Sequence, residues 1–127
     1  LKLVAALDRG AGEAGREVGC LVQVSLDPPD ASGRGGAATA DVAAIAEAIE
    51  AAEHLRFGGL MAVAPLGEPP APAFERLLAI ADRVRADHPG ATTISAGMSG
   101  DLEEAVKYGA THVRVGSSVL GSRASVQ

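Results

Sequence analysis

Apolar residues recur along this chain with two alternating periods. One returns every three to four positions and reads as helix. The other forms short runs, rich in β-branched residues and bounded by glycine, proline and serine, and reads as strand. The helical period covers residues 1–15 and stops near Gly15. Residues 19–25 give the first strand, followed by a loop through Asp27-Pro-Pro-Asp30 and Ser32-Gly-Arg-Gly-Gly36. Thr39 or Asp41 can cap the next helix, whose apolar face is Val42, Ile45, Ile49 and Ala52. Residues 57–64 form a second strand, and residues 65–72 a proline-rich loop. Phe74, Leu77, Leu78, Ala81 and Val84 then share one helix face, which His88-Pro-Gly90 ends. A third strand is predicted at 91–96, a short helix at 100–108 stopped by Gly109, a fourth strand at 111–115, and a last helix from about Ser118. Strand runs joined by crossovers of this length imply parallel pairing. Their nearly continuous apolar character predicts burial on both faces. Four such strands make half of an eight-stranded barrel or a small open sheet.

Composition narrows this picture. The 127 residues suffice for one domain. The chain opens on Leu1 in mid-helix, with no cap before it, and reads as a piece of a longer protein. It is 47% hydrophobic but only 2% aromatic, so its core must be built from Ala, Val, Leu and Ile, as α/β layers are. A net charge of -5, with no basic run, argues against nucleic-acid binding. The single Cys20 leaves no internal disulfide and reads as a small core residue. No run reaches membrane-spanning length and no signal peptide is visible, so a cytoplasmic location is expected.

The chemistry concentrates in the last third. Thr93-Ile-Ser-Ala-Gly-Met-Ser-Gly-Asp101 and Thr111-His-Val-Arg-Val-Gly-Ser-Ser118 each run from strand through a Gly/Ser turn toward a helix. Free N–H groups gather at such turns and suit an anion. Two turns in succession suggest one phosphate between them, where a barrel of alternating strands and helices keeps its phosphate site. Ser99 reads either as the cap of the helix carrying Asp101, Glu103 and Glu104, or as a phosphate ligand beside it. The acidic first turn partly opposes an anion. Gly116-Ser117-Ser118 reads either as a capped turn or as a phosphate cradle. Arg114 interrupts an apolar strand, so it needs a partner: the solvated rim, an ion pair or a ligand's polar atom. His54, His88 and His112 have no ligand spacing, and no Cys/His cluster supports a metal. His54 and His88 are expected in solvent, as is Arg34 in its glycine-rich loop. Met61 reads as core, or less readily as pocket lining.

These blocks resemble the C-terminal half of the pyridoxal-phosphate homeostasis proteins (the YggS/PROSC family). The matching pieces are Val22-Gln-Val24, Gly59-Leu-Met-Ala-Val-Ala-Pro65, Ser95-Ala-Gly-Met-Ser-Gly-Asp101 and Val113-Arg-Val-Gly-Ser117, with Leu120-Gly121 beyond. The resemblance implies an α/β fold, a (β/α)8 TIM barrel of the alanine-racemase N-terminal type. Residues 1–127 would be the C-terminal half of that one domain and supply its last four strands. It further implies a pyridoxal 5′-phosphate (PLP) site in which Ser99, Gly116 and Ser117 hold the phosphate, Met98 lies beside it and Arg114 faces the pyridine nitrogen. A fixed cation there keeps that nitrogen unprotonated, which suits a carrier in PLP homeostasis better than an amino-acid enzyme. Ala96, Ser25 and Arg34 depart mildly from the family pattern. The family's Schiff-base lysine lies on the first barrel strand, absent here; Lys2 and Lys107 are both on predicted helices. The alternative is a racemase-like or sugar-phosphate barrel enzyme. Against a racemase, the one tyrosine, Tyr108, falls at a helix end. The full-length protein is expected to be a monomer binding no nucleic acid and no membrane. The 127-residue piece alone is expected to self-associate through open apolar edges.

Overall fold

The computed structural model describes residues 1–28 and 35–121. Arg34 therefore lies outside the described residues. Helix α1 (Lys2–Ala14) ends where Gly15 turns left-handed at φ 66°. Strand β1 (Val18–Gln23) follows. Helix α2 (Val42–Ala51) is entered through a 3₁₀ turn at Thr39–Asp41, and neither Thr39 nor Asp41 caps it with its side chain. Strand β2 (Leu55–Met61) begins two residues earlier than its apolar run predicts. Helix α3 (Pro70–Asp87) takes Pro70 and Pro72 into its first turn. A proline there gives up no helical hydrogen bond and brings its φ already set, so the last three residues of the expected proline loop are helix. Strand β3 (Thr93–Ser95), helix α4 (Leu102–Lys107) and helix α5 (Ser117–Leu120) complete the described chain.

The sheet is parallel, in the order β1-β2-β3. A bulge at Cys20/Leu21 shifts the β1–β2 register by one residue. Gly59 opposes Thr93, and its φ of 143° with Thr93 close by leaves no room for a side chain. Helices cover one sheet face. Val42, Ala46 and Ile49 of α2, with Ala73, Phe74, Leu77, Ile80, Ala81 and Val84 of α3, pack on Cys20, Val22, Val24, Phe57 and Leu60. Full burial of a side chain such as Phe74 or Leu77 stabilises by about 2 kcal/mol. Asp8 of α1 accepts the His54 N–H at 2.8 Å and fixes that helix to the start of β2.

Two expectations are corrected. Strand β1 is not buried on both faces: Cys20 and Val22 are buried, while Leu21 is 39% exposed and Gln23 is exposed, whereas in β3 the adjacent Ile94 and Ser95 are both buried. Its alternating burial leaves the apolar run of β1 one half covered and one half open. Nor do residues 111–115 form a fourth strand. They run parallel to β3 through a single bridge, Ser95 to His112. Four backbone bonds join them: Thr111 N–H and His112 N–H to Ile94 O, Ala96 N–H to His112 O and Arg114 N–H to Gly97 O. Two local features interrupt a regular ladder. The Thr111 hydroxyl takes the Ile94 N–H at 2.9 Å and donates back to the Ile94 carbonyl, as a side chain competing with strand pairing does. The left-handed turn at Gly97 (φ 96°) then displaces the next acceptor by one residue. Val113 and Val115 are each 38% exposed, so Arg114 does not interrupt a buried strand.

Candidate functional site

The chain's carboxyl-side strand ends converge on Arg114. Its Nη1 donates to the Ser95 carbonyl at 3.0 Å and to the Ser95 hydroxyl at 2.8 Å. Its Nη2 donates to the Ala62 carbonyl at 3.0 Å. A guanidinium has five N–H donors. Three are spent on the ends of β2 and β3, leaving the Nε–H and one Nη2–H. The partner that the sequence demanded for Arg114 is thus a pair of strand-end carbonyls and one hydroxyl. Ser95 and Ala62 were not singled out in the sequence. They lie 19 and 52 residues from Arg114, beyond any local pattern.

Beside Arg114 stand the two Gly/Ser loops. Ser99 does not cap α4, because the residue flanking that helix is Asp101. The Ser99 hydroxyl instead accepts the Ser118 N–H at 3.1 Å and ties one loop to the other. Asp101 Oδ1 accepts the Met98 N–H at 2.8 Å. That carboxylate is turned onto its own loop, which weakens the expected opposition to an anion. Among the described residues the N–H groups of Ser99, Gly100, Gly116 and Ser117 donate to no acceptor, so four donors remain available at the joined loops. The serine cap expected at α5 does not form, since Gly116 flanks that helix. Met98 is 42% exposed on the first loop. Met98, Ser99, Arg114, Gly116 and Ser117 are thus brought to one end of the parallel segments.

The loop glycines differ in kind. Gly97 has a φ of 96°, and a Cβ on it would meet the Ala105 Cβ at 2.6 Å, so the fold demands glycine. Gly100 and Gly116 have no positive φ and nothing within 4 Å of a built Cβ. Neither crowding nor a positive φ calls for glycine at either, while a ligand approaching the backbone would.

Other sequence candidates fall elsewhere. His88 is not in solvent: its side chain is 16% exposed, meets Phe57 edge-on at 5.4 Å and lies 3.6 Å from Glu50. His54 packs its ring on Gly12 and sits 3.8 Å from Glu53. Lys2 is on α1 and Lys107 ends α4, neither at a strand end. Cys20 is buried, and burial raises its thiol pKa. No helix among the described residues is long and apolar enough to cross a membrane.

Comparison with known proteins supplies the family. The alanine racemase N-terminal domain model matches residues 1–124. A pyridoxal phosphate homeostasis protein of Corynebacterium glutamicum is 42% identical over 118 residues, covering 93% of this chain and 52% of the relative. A pyridoxal phosphate homeostasis protein of Mycobacterium leprae is 46% identical over 130 residues, covering 95% and 50%. The chain spans about half the length of these relatives. Among solved structures, PipY of Synechococcus elongatus with PLP bound superposes with a TM-score of 0.83 at 35% identity, covering 94% of this chain and 57% of that one. The motif resemblance and the α/β, TIM-barrel type of fold agree with these relatives. The chain belongs to the alanine racemase N-terminal domain family.

Proposed function

We propose that this chain is the phosphate-holding, C-terminal half of a single PLP-binding barrel domain. In this reading residues 1–127 supply the last four barrel strands, the segment 111–115 becoming the fourth. The protein acts in intracellular PLP (vitamin B6) homeostasis, as a cytoplasmic carrier or regulator and not a catalyst. The observation that carries this reading is the pair of loops joined through Ser99 and Ser118, with four free N–H groups beside a guanidinium. The donor set fits PLP. Backbone N–H groups and serine hydroxyls suit a phosphate dianion, and the open space at Gly100 and Gly116 admits it. Ser99, Gly116 and Ser117 would hold the phosphate, with Met98 alongside and Arg114 toward the pyridine nitrogen. When bound, PLP supplies an electrophilic aldehyde and an electron-withdrawing ring. A positive neighbour such as Arg114 disfavours protonation of that ring and so weakens its pull on electrons. Tyr108, at the end of α4, offers no strand-end base for a racemase. The family names of the relatives point the same way.

The full-length protein would be a monomer. The 127-residue chain alone would self-associate through its exposed Leu21, Val113 and Val115. The test is intact mass of the native protein after PLP loading and borohydride reduction. One reduced PLP adduct, on a lysine outside this chain, is expected. No adduct, together with no saturable PLP binding, overturns the reading.

A further inference from the structure

Ser95 is the one buried polar residue among the described residues, 7% exposed at the end of β3 between buried Ile94 and Ala96. An apolar side chain would serve packing there at least as well, and a buried hydroxyl is costly unless bonded. Its bond is to Arg114: the hydroxyl accepts from Nη1 at 2.8 Å, the shortest of the three bonds that hold the guanidinium. The other two acceptors are backbone carbonyls, which any residue would provide. The Ser95 carbonyl also accepts the Ala62 N–H at 3.1 Å, so it is shared. Among the described residues the Ser95 hydroxyl is therefore the only side-chain acceptor on Arg114. An arginine side chain is long and rich in rotamers, and each bond to a rigid strand end removes some of that freedom. We propose that Ser95 is a positioning residue. It fixes the Arg114 guanidinium so that its two remaining N–H groups are set for the heteroaromatic ring of the bound ligand. This inference rests on the PLP reading above and assigns the ring half of the site to a residue distinct from the phosphate loops.

The test uses pyridoxine 5′-phosphate, which carries the ring and phosphate but no aldehyde, and inorganic phosphate as the probe of the loops alone. Both are titrated by calorimetry into the native protein containing this chain, and the ultraviolet band of the bound ring is recorded. In Ser95→Ala, affinity for pyridoxine 5′-phosphate is expected to fall about tenfold, the loss of one charge-assisted bond. The ring band is expected to shift while phosphate affinity stays within twofold. Ser95→Thr, which keeps the hydroxyl, should restore both. In an Arg114→Met background, Ser95→Ala should have no further effect on ring affinity. Equal pyridoxine 5′-phosphate affinity and an unchanged band in Ser95→Ala overturn the inference alone. So does an equal loss for both probes, the mark of a purely structural role. Failure of the unmutated protein to bind pyridoxine 5′-phosphate overturns the PLP reading and this inference with it. If Ser95→Ala does not fold, Ser95→Cys, with a weaker acceptor of similar size, is expected to give the same split in smaller measure. An equal response to both probes there overturns the inference.

Discussion

Replacing Gly116 with alanine separates a glycine kept for folding from one kept for a ligand. Gly116 has a φ of -121° and a ψ of -74°, and a Cβ there would meet nothing within 4 Å. The folded chain should accept the methyl. Alanine restricts the unfolded chain more than glycine, and the open space leaves no clash to offset this, so stability should change by no more than about 1 kcal/mol. Binding should respond oppositely. The Gly116 and Ser117 N–H groups are both unspent, and a methyl on Gly116 would take up part of the open space through which a phosphate reaches them. Loss of one N–H to phosphate bond is worth about 1.5–3 kcal/mol, or about 10- to 100-fold in affinity. Thermal melting and calorimetric titration with inorganic phosphate, on the same preparation, measure the two effects. A variant that melts several degrees lower, or one that binds phosphate as the parent does, refutes the argument.

Two further perturbations test the frame that carries the site. Gly59→Ala should be severely destabilising, by more than about 3 kcal/mol in urea unfolding, because a Cβ would overlap the Thr93 carbonyl at an unfavourable φ; a loss below about 1 kcal/mol would show that β2 and β3 can separate without cost. Cys20 should resist alkylation at pH 8 in the native protein and react fully in urea, since burial holds its pKa above the ordinary value of about 9. The raised folded pKa means that the unfolded chain releases the thiol proton first as pH increases. The contribution of Cys20 to stability is therefore complete below about pH 9 and declines above it, through the raised folded value. Equal melting temperatures of the parent and Cys20→Ala, relative to their values at pH 7, across pH 8–11 would contradict this.

Much of the fold was legible because it is local. The helical period of Phe74, Leu77, Ala81 and Val84 and the β-branched runs around Val22 and Ile94 report burial directly, and α3, β1 and β3 follow from them. What was missed depends on contacts distant in sequence or on competition between side chain and backbone. Nothing near Thr111 announces that its hydroxyl will take the Ile94 N–H and cut short a fourth strand. Leu21 and Val113 look like core residues in a linear pattern, and only the arrangement of helices on one sheet face reveals the open side. Arg114 shows both sides of the matter. Its charge in an apolar run correctly demanded a partner, yet the partners, Ser95 and Ala62, come from two other segments. The glycines make the limit sharpest, because in sequence Gly59, Gly97, Gly100 and Gly116 are alike. Close approach and positive φ account for Gly59 and Gly97. The same criteria leave Gly100 and Gly116 without a folding role, on the two loops whose N–H groups stand free. That coincidence links the sequence motif to a bound anion more strongly than the motif does alone.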